Sequence, residues 1–146
     1  MRVSQRAAYA VGAMLDLALH GGRGGVRTAE IAQRTAAPEK FLEAVMRDLQ
    51  RAGFIASKRG PDGGHRLVRD PAHVTVGAIV EAIDGPFARP GRVGEGPLRS
   101  SATAAETCLG ALWGRVEAAM RAAVESVTLE DLRRQVEGHG ALDFVI

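Results

Sequence analysis

Residues 56–69 read Ala-Ser-Lys-Arg-Gly-Pro-Asp-Gly-Gly-His-Arg-Leu-Val-Arg, and this stretch decides the fold. Two short apolar-polar segments flank Gly60-Pro61-Asp62-Gly63-Gly64, a pentapeptide with the chemistry of a β-hairpin tip. Lys58, Arg59, Arg66 and Arg69 surround that tip, and Asp62 is the one acid within it. The spacing predicts strands over residues 54–58 and 65–68. A cationic hairpin is what a winged DNA-binding domain needs, provided a helix-turn-helix precedes it.

The residues before the hairpin supply that pattern. Thr28 is a good N-cap, with Glu30 in the positive first turn of a short helix ending near Thr35. Ala36-Ala37 forms a tight turn, and Pro38 suits the first position of the next helix, predicted over residues 38–52. Phe41, Leu42, Val45, Met46 and Leu49 mark its buried face, and Gly53 is placed as its left-handed C-cap. Upstream, Ser4 caps a helix over residues 5–19 with an expected stripe of Ala7, Ala8, Val11, Met14, Leu15 and Ala18. Four glycines in residues 21–25 then impose a loop, and Val26-Arg27 reads as a short strand. Downstream, Thr75 caps a helix whose inward positions are Val76, Ile79, Val80 and Ile83.

The second half has a different composition. Pro86, Pro90, Gly91, Gly94, Gly96 and Pro97 make residues 86–101 read as a flexible loop or linker. A long helix is expected from about residue 102 to 126, with Cys108/Leu109, Leu112, Val116, Ala119/Met120, Ala123 and Val127 recurring every three or four residues. It lacks an obvious partner within the chain, so self-association is the simplest way to cover it. Thr128 caps a last short helix. The expected fold class is therefore mainly α with a small β-hairpin. Residues 1–85 form a winged helix-turn-helix domain, and residues 102–146 hold a dimerisation helix with a short C-terminal helix.

Charge agrees with a polyanionic partner. The chain of 146 residues carries a net charge of +2, but residues 1–69 hold 12 Lys and Arg against 6 Asp and Glu, while residues 70–146 hold 7 against 11. Each cation that neutralises a phosphate releases a counterion, so a basic half favours nucleic acid. No run of about 18 apolar residues argues for a membrane span. Arg2 and Arg6 precede an apolar stretch that Asp16 interrupts, so a signal peptide is not expected. With Cys108 as the single cysteine, a reducing cytoplasm is the natural setting.

The exposed side chains of the second helix are Glu39, Lys40, Glu43 and Arg47, where major-groove base edges would lie. Arg47 can grip a guanine edge or a phosphate, and Glu43 can accept from a cytosine amino group; alternatively the two form a solvated helix ion pair. Arg59 stands where a side chain can enter a narrow minor groove. Ser57, Lys58 and His65 are phosphate contacts in this reading, and Thr28 and Gln5 add backbone-positioning bonds. His20, His65, His73 and His139 lack metal-ligand spacing, so no metal site is expected. Trp113 and Tyr9 read as core. No nucleophile–base pair, phosphate-binding glycine motif or set carboxylate pair supports an enzyme. A module gripping a partner protein rather than DNA is the alternative.

Several segments together resemble one family. Met1–His20 (MRVSQRAAYAVGAMLDLALH), Ile31-Ala32, Leu49–Ile55 (LQRAGFI), Arg59–Gly64 (RGPDGG), Ile79–Gly85 (IVEAIDG) and Cys108–Trp113 (CLGALW) are similar to the Rrf2-type winged-helix regulators, the group that contains IscR, NsrR and CymR. The resemblance implies a homodimer that reads a roughly palindromic operator on double-stranded DNA with two recognition helices and two wings, as a transcriptional regulator and repressor. Many members also hold an iron–sulfur cluster through three cysteines. Here Cys108 matches the last of them, residues 84–107 contain no other, and Gly110-Ala111-Leu112 stands where some members place a histidine. Arg6 to Met14 offers neither an acid nor a histidine as substitute. One thiolate does not supply the four ligands a cluster takes, so no cofactor is expected. Cys108 is then either a small buried residue or a thiol switch near a helix start.

Overall fold

The computed structural model describes residues 3–22, 24–86 and 103–141. Among the described residues, six α-helices and one hairpin follow in order: α1 Gln5–His20, α2 Thr28–Thr35, α3 Glu39–Arg51, β1 Ile55–Lys58, β2 Gly64–Leu67, α4 Val76–Asp84, α5 Ala104–Glu125 and α6 Leu129–Ala141, with a short 3-10 turn over Pro71–His73. The mainly helical fold with one hairpin is the expected class.

Helix α1 is the centre of the domain and packs against α2, α3, α4 and α6. Ser4 caps it, accepting from the Ala7 N–H at 3.0 Å. The same residue donates its N–H and hydroxyl to Asp84 at 3.0 and 2.5 Å, which ties the start of α1 to the end of α4. The predicted stripe is corrected: Ala7 and Met14 are buried, but Ala10, Ala13, Asp16 and Leu17 are buried with them, Ala8 is exposed, and Val11, Leu15 and Ala18 are half-buried. A helix enclosed by four others buries more than one stripe, and its alanines allow the close approach. Buried Asp16 accepts both arms of the Arg34 guanidinium, at 2.8 and 2.9 Å, joining α1 to α2 and raising Arg34 above its ordinary value. Arg6 pairs with Asp48 of α3.

The helix-turn-helix forms as expected, with local differences. Arg27, not Thr28, is the N-cap of α2, and its N–H donates to the Glu30 carboxylate at 2.9 Å. Ala36 makes the turn in a left-handed conformation, φ 56°. Pro38 sits at the N-cap of α3 rather than inside it. Leu42, Val45, Met46 and Leu49 are buried against α1, and Gly53 ends the helix at φ 80°. Phe41 is exposed instead, meeting half-buried Tyr9 edge-on with ring centroids 5.5 Å apart.

The hairpin is antiparallel with Ile55 opposite Leu67 and Lys58 opposite Gly64. Val26 and His65 exchange backbone hydrogen bonds of 2.9 and 2.8 Å, so Val26, two residues ahead of α2, adds one rung to β2. That rung needs glycine twice. A Cβ at Gly64, which has φ 136°, would lie 2.6 Å from the Gly25 carbonyl carbon, and one at Gly25 would lie 2.8 Å from the Gly64 Cα.

Thr103 and Glu106 cap α5 reciprocally, and the helix then runs 22 residues, about 33 Å. Its apolar side is open: Leu109, Leu112, Trp113 and Val116 are 51%, 46%, 52% and 40% exposed. Cys108 is exposed too, so within the single chain neither Trp113 nor Cys108 is part of the core. Toward its C-terminal end α5 meets the domain: Val124 and Glu125 lie against Gly77 of α4, and Glu117 is buried earlier on the helix. The chain then turns back. Val76 and Leu129 donate to the carbonyls of Val127 and Val74 at 2.8 and 2.9 Å, and Leu129 is fully buried in the core with Met14, Val74 and Ile79. The predicted linker, apart from Pro86, lies outside the described residues.

Candidate nucleic-acid interface

A concave cleft of about 570 Å³ opens between α3, the start of α2 and the wing. Arg27, Thr28, Arg47, Gln50, Ser57, Lys58, Arg59 and His65 line it together with the tip glycines. Four cations from three elements thus face one concavity that no carboxylate lines. Six residues expected from sequence meet here: Thr28, Arg47, Ser57, Lys58, Arg59 and His65. Glu39, Lys40 and Glu43 do not line the cleft; they stand exposed along the first turns of α3, beside it on the same helix. Gln5 is absent from the lining and donates to the Tyr9 hydroxyl at 3.2 Å.

Local geometry fixes the wall. The His65 ring is held from both sides, with Nε2 2.8 Å from the Thr28 hydroxyl and Nδ1 2.6 Å from the Ser57 hydroxyl. These bonds link α2, β1 and β2, and explain why Thr28 does not cap its own helix. Burial pushes the His65 imidazole below its ordinary value. Arg27 donates to the Pro61 carbonyl at 3.0 Å, holding the wing tip toward the helix-turn-helix. Arg69, by contrast, stacks over Phe54 at 4.5 Å and serves the hairpin base rather than the tip.

Two lining residues escaped the sequence reading. Arg27 sits between a glycine loop and a helix start, and only the Val26–His65 rung turns it toward the wing. Gln50 lies in the last turn of α3, although its spacing of three from Arg47 places both on one face and was a usable signal.

The residues do not suit an iron–sulfur cluster. Cys108 is the one thiol of the chain, and no group of three His, Cys, Asp or Glu among the described residues could hold a metal ion. Among the described residues no helix is long and apolar enough to cross a membrane.

Comparison with known proteins agrees with this architecture. The family model described as "Rrf2: Iron-dependent Transcriptional regulator" matches residues 3–135. The HTH-type transcriptional regulator IscR of Sodalis glossinidius is 44% identical over 84 residues, which are 58% of this chain and 51% of that protein. The chain spans about half the length of the curated IscR relatives it matches first. Among solved structures, CymR, the global cysteine regulator of B. subtilis, superposes with a TM-score of 0.76 at 29% identity, covering 92% of this chain and 98% of that one. T. potens IscR gives 0.75 at 31% identity, covering 93% and 88%.

Proposed function

The chain belongs to the Rrf2 family of transcriptional regulators, and from that premise we propose that it binds duplex DNA as a homodimer and represses transcription from a roughly palindromic operator. The observation that carries this reading is the acid-free cleft, in which four cations converge between a recognition helix and a wing. Helix α3 enters the major groove in this reading. Arg47 and Gln50 face base edges or phosphates, and Glu43 selects a cytosine amino group at the rim. No ion pair joins Glu43 to Arg47 among the described residues, which leaves both side chains free for the groove. Glu39 and Lys40 flank the contact. Arg59, at the start of the wing tip, enters the minor groove, while Thr28, Ser57, Lys58 and His65 hold the backbone between.

The open side of α5 supports the dimer. Leu109, Leu112, Trp113 and Val116 form a stripe that a second copy would cover across a two-fold axis, setting two α3 helices toward successive half-sites. No cluster enters this account, because Cys108 is the one thiol of the chain and a cluster takes four ligands.

The test is binding to a labelled duplex carrying the promoter of the protein's own gene. Wild type should bind it more tightly than a scrambled duplex. Arg59→Ala should lose about 1–3 kcal/mol of that preference. Equal affinity for both duplexes, with Arg59→Ala indistinguishable from wild type, would refute the assignment.

A further inference from the structure

The hydrogen bonds around His65 have a consequence for how an anion can sit in the cleft. A neutral imidazole has one N–H and one bare nitrogen. Both nitrogens are engaged, Nε2 by the Thr28 hydroxyl at 2.8 Å and Nδ1 by the Ser57 hydroxyl at 2.6 Å. Whichever tautomer is present, one hydroxyl must give its only proton to the bare nitrogen. That hydroxyl then has nothing but lone pairs for the cleft. A phosphodiester offers acceptors only, so lone pair would meet lone pair at one of the two contacts.

Protonation removes the conflict. An imidazolium donates from both nitrogens, both hydroxyls become acceptors toward the ring, and both keep their own protons for a phosphate oxygen. The surroundings oppose this charge while the cleft is empty. Arg27 ahead of α2, Arg47 on α3 and Lys58 and Arg59 on β1 and the wing are all cationic and all line the cleft. Arg66 follows on β2. The one nearby acid of α2, Glu30, is engaged by the Arg27 N–H. A docked phosphate places a negative charge beside the ring and offsets that field.

We propose that Thr28, His65 and Ser57 form a proton-gated seat for a DNA backbone phosphate, in which His65 takes up a proton on docking and frees both hydroxyls to donate. The proposal rests on the DNA-binding reading above and makes that binding pH-dependent. The proton comes from solvent, and the phosphodiester keeps its charge throughout. Gains arise at a backbone contact, so they apply to any duplex sequence and add to base readout.

Titration calorimetry of the full chain against the own-promoter duplex, in two buffers of different ionisation enthalpy, counts the protons taken up. An anisotropy titration from pH 5.5 to 8.5 at fixed ionic strength gives the affinity. Wild type should absorb up to about one proton per protomer on binding, and its affinity should fall by up to about tenfold per pH unit per protomer as pH rises through the linked window. His65→Asn should lose that component. The double variant Thr28→Val/Ser57→Ala, which keeps the histidine and also guards against a folding failure of His65→Asn, should lose it as well. Proton uptake equal in wild type and both variants overturns the seat, as does a wild type that binds DNA with no uptake. A wild type that binds no duplex at any pH overturns both the seat and the DNA-binding reading, so the two failures are distinct.

Discussion

Replacing Gly64 with alanine probes the contact that joins the wing to the rest of the domain. Gly64 has φ 136°, a conformation that costs an L-residue about 1–3 kcal/mol. Its added Cβ would also lie 2.6 Å from the Gly25 carbonyl carbon and 2.7 Å from the Val26 nitrogen, both main-chain atoms that no rotamer change can move. Overpacking of this kind costs about a further 1–3 kcal/mol. Gly60 provides an internal control, since it too has a positive φ, 107°, but its added Cβ meets nothing within 4 Å. Gly60→Ala should therefore cost only the backbone part, about 1–3 kcal/mol. Gly64→Ala should cost about 2 kcal/mol more than that, out of a total stability of about 5–15 kcal/mol. Urea unfolding measures both differences on the same protein. If the wing relieves the overlap by swinging away, the Val26–His65 rung breaks and amide exchange at His65 accelerates. Gly64→Ala as stable as Gly60→Ala, with His65 equally protected in both, would refute the reasoning.

Other outcomes follow from the same contacts. Asp16→Ala leaves the half-exposed Arg34 without its bidentate partner and removes a buried carboxylate between α1 and α2, so thermal unfolding should show a loss of about 2 kcal/mol; a change below about 0.5 kcal/mol would mean that solvent replaces Asp16 at no cost. In the DNA-free protein the depressed His65 makes the unfolded chain bind more protons, so its contribution is intact above pH 6.5 and declines as pH falls below that value toward the folded one. Glu130, held near 2 by hydrogen bonds from Arg133 and then Arg134, acts the same way in a lower window, its contribution present above about 4.5 and lost as pH falls toward about 2. Comparing urea midpoints of wild type and His65→Asn between pH 5 and 8 checks the first, and an unchanged difference across that range would contradict it. Leu112→Glu places a charge in the exposed stripe of α5 and should shift sedimentation equilibrium from dimer to monomer while circular dichroism stays helical; a variant that remains dimeric would place the interface elsewhere.

Much of the domain was legible because local chemistry and packing agree in it. Ser4 and Thr75 cap the helices they precede, Gly53 takes the left-handed end of α3, and the tip glycines form the wing. Those are single-residue signals with single meanings. The face of α1 was misread because periodicity marks one stripe, whereas a central helix touches neighbours on several sides. Leu129 illustrates the opposite limit. Nothing local distinguishes it from other helix-start leucines, and only the return of the chain after α5 brings it into the core. At the cleft, Arg47, Lys58 and Arg59 could be read directly as exposed cations beside turn signals. Arg27 could not, because its direction depends on a backbone rung between residues 39 positions apart. The role of Thr28 changed for the same reason: a cap and a hydrogen-bond partner of His65 look alike until the distance to His65 is known.

The slope of binding affinity against salt tests the central claim most directly. Each cation that meets a phosphate contributes about 0.9 to the slope of log affinity against log salt. The four cleft cations should give the wild type a steep negative slope on the own-promoter duplex, and Lys58→Ala should reduce its magnitude by about 1 for each protomer engaged. A slope near zero, or one that neither Lys58→Ala nor Arg47→Ala alters, would contradict the assignment of this cleft as the DNA-binding surface.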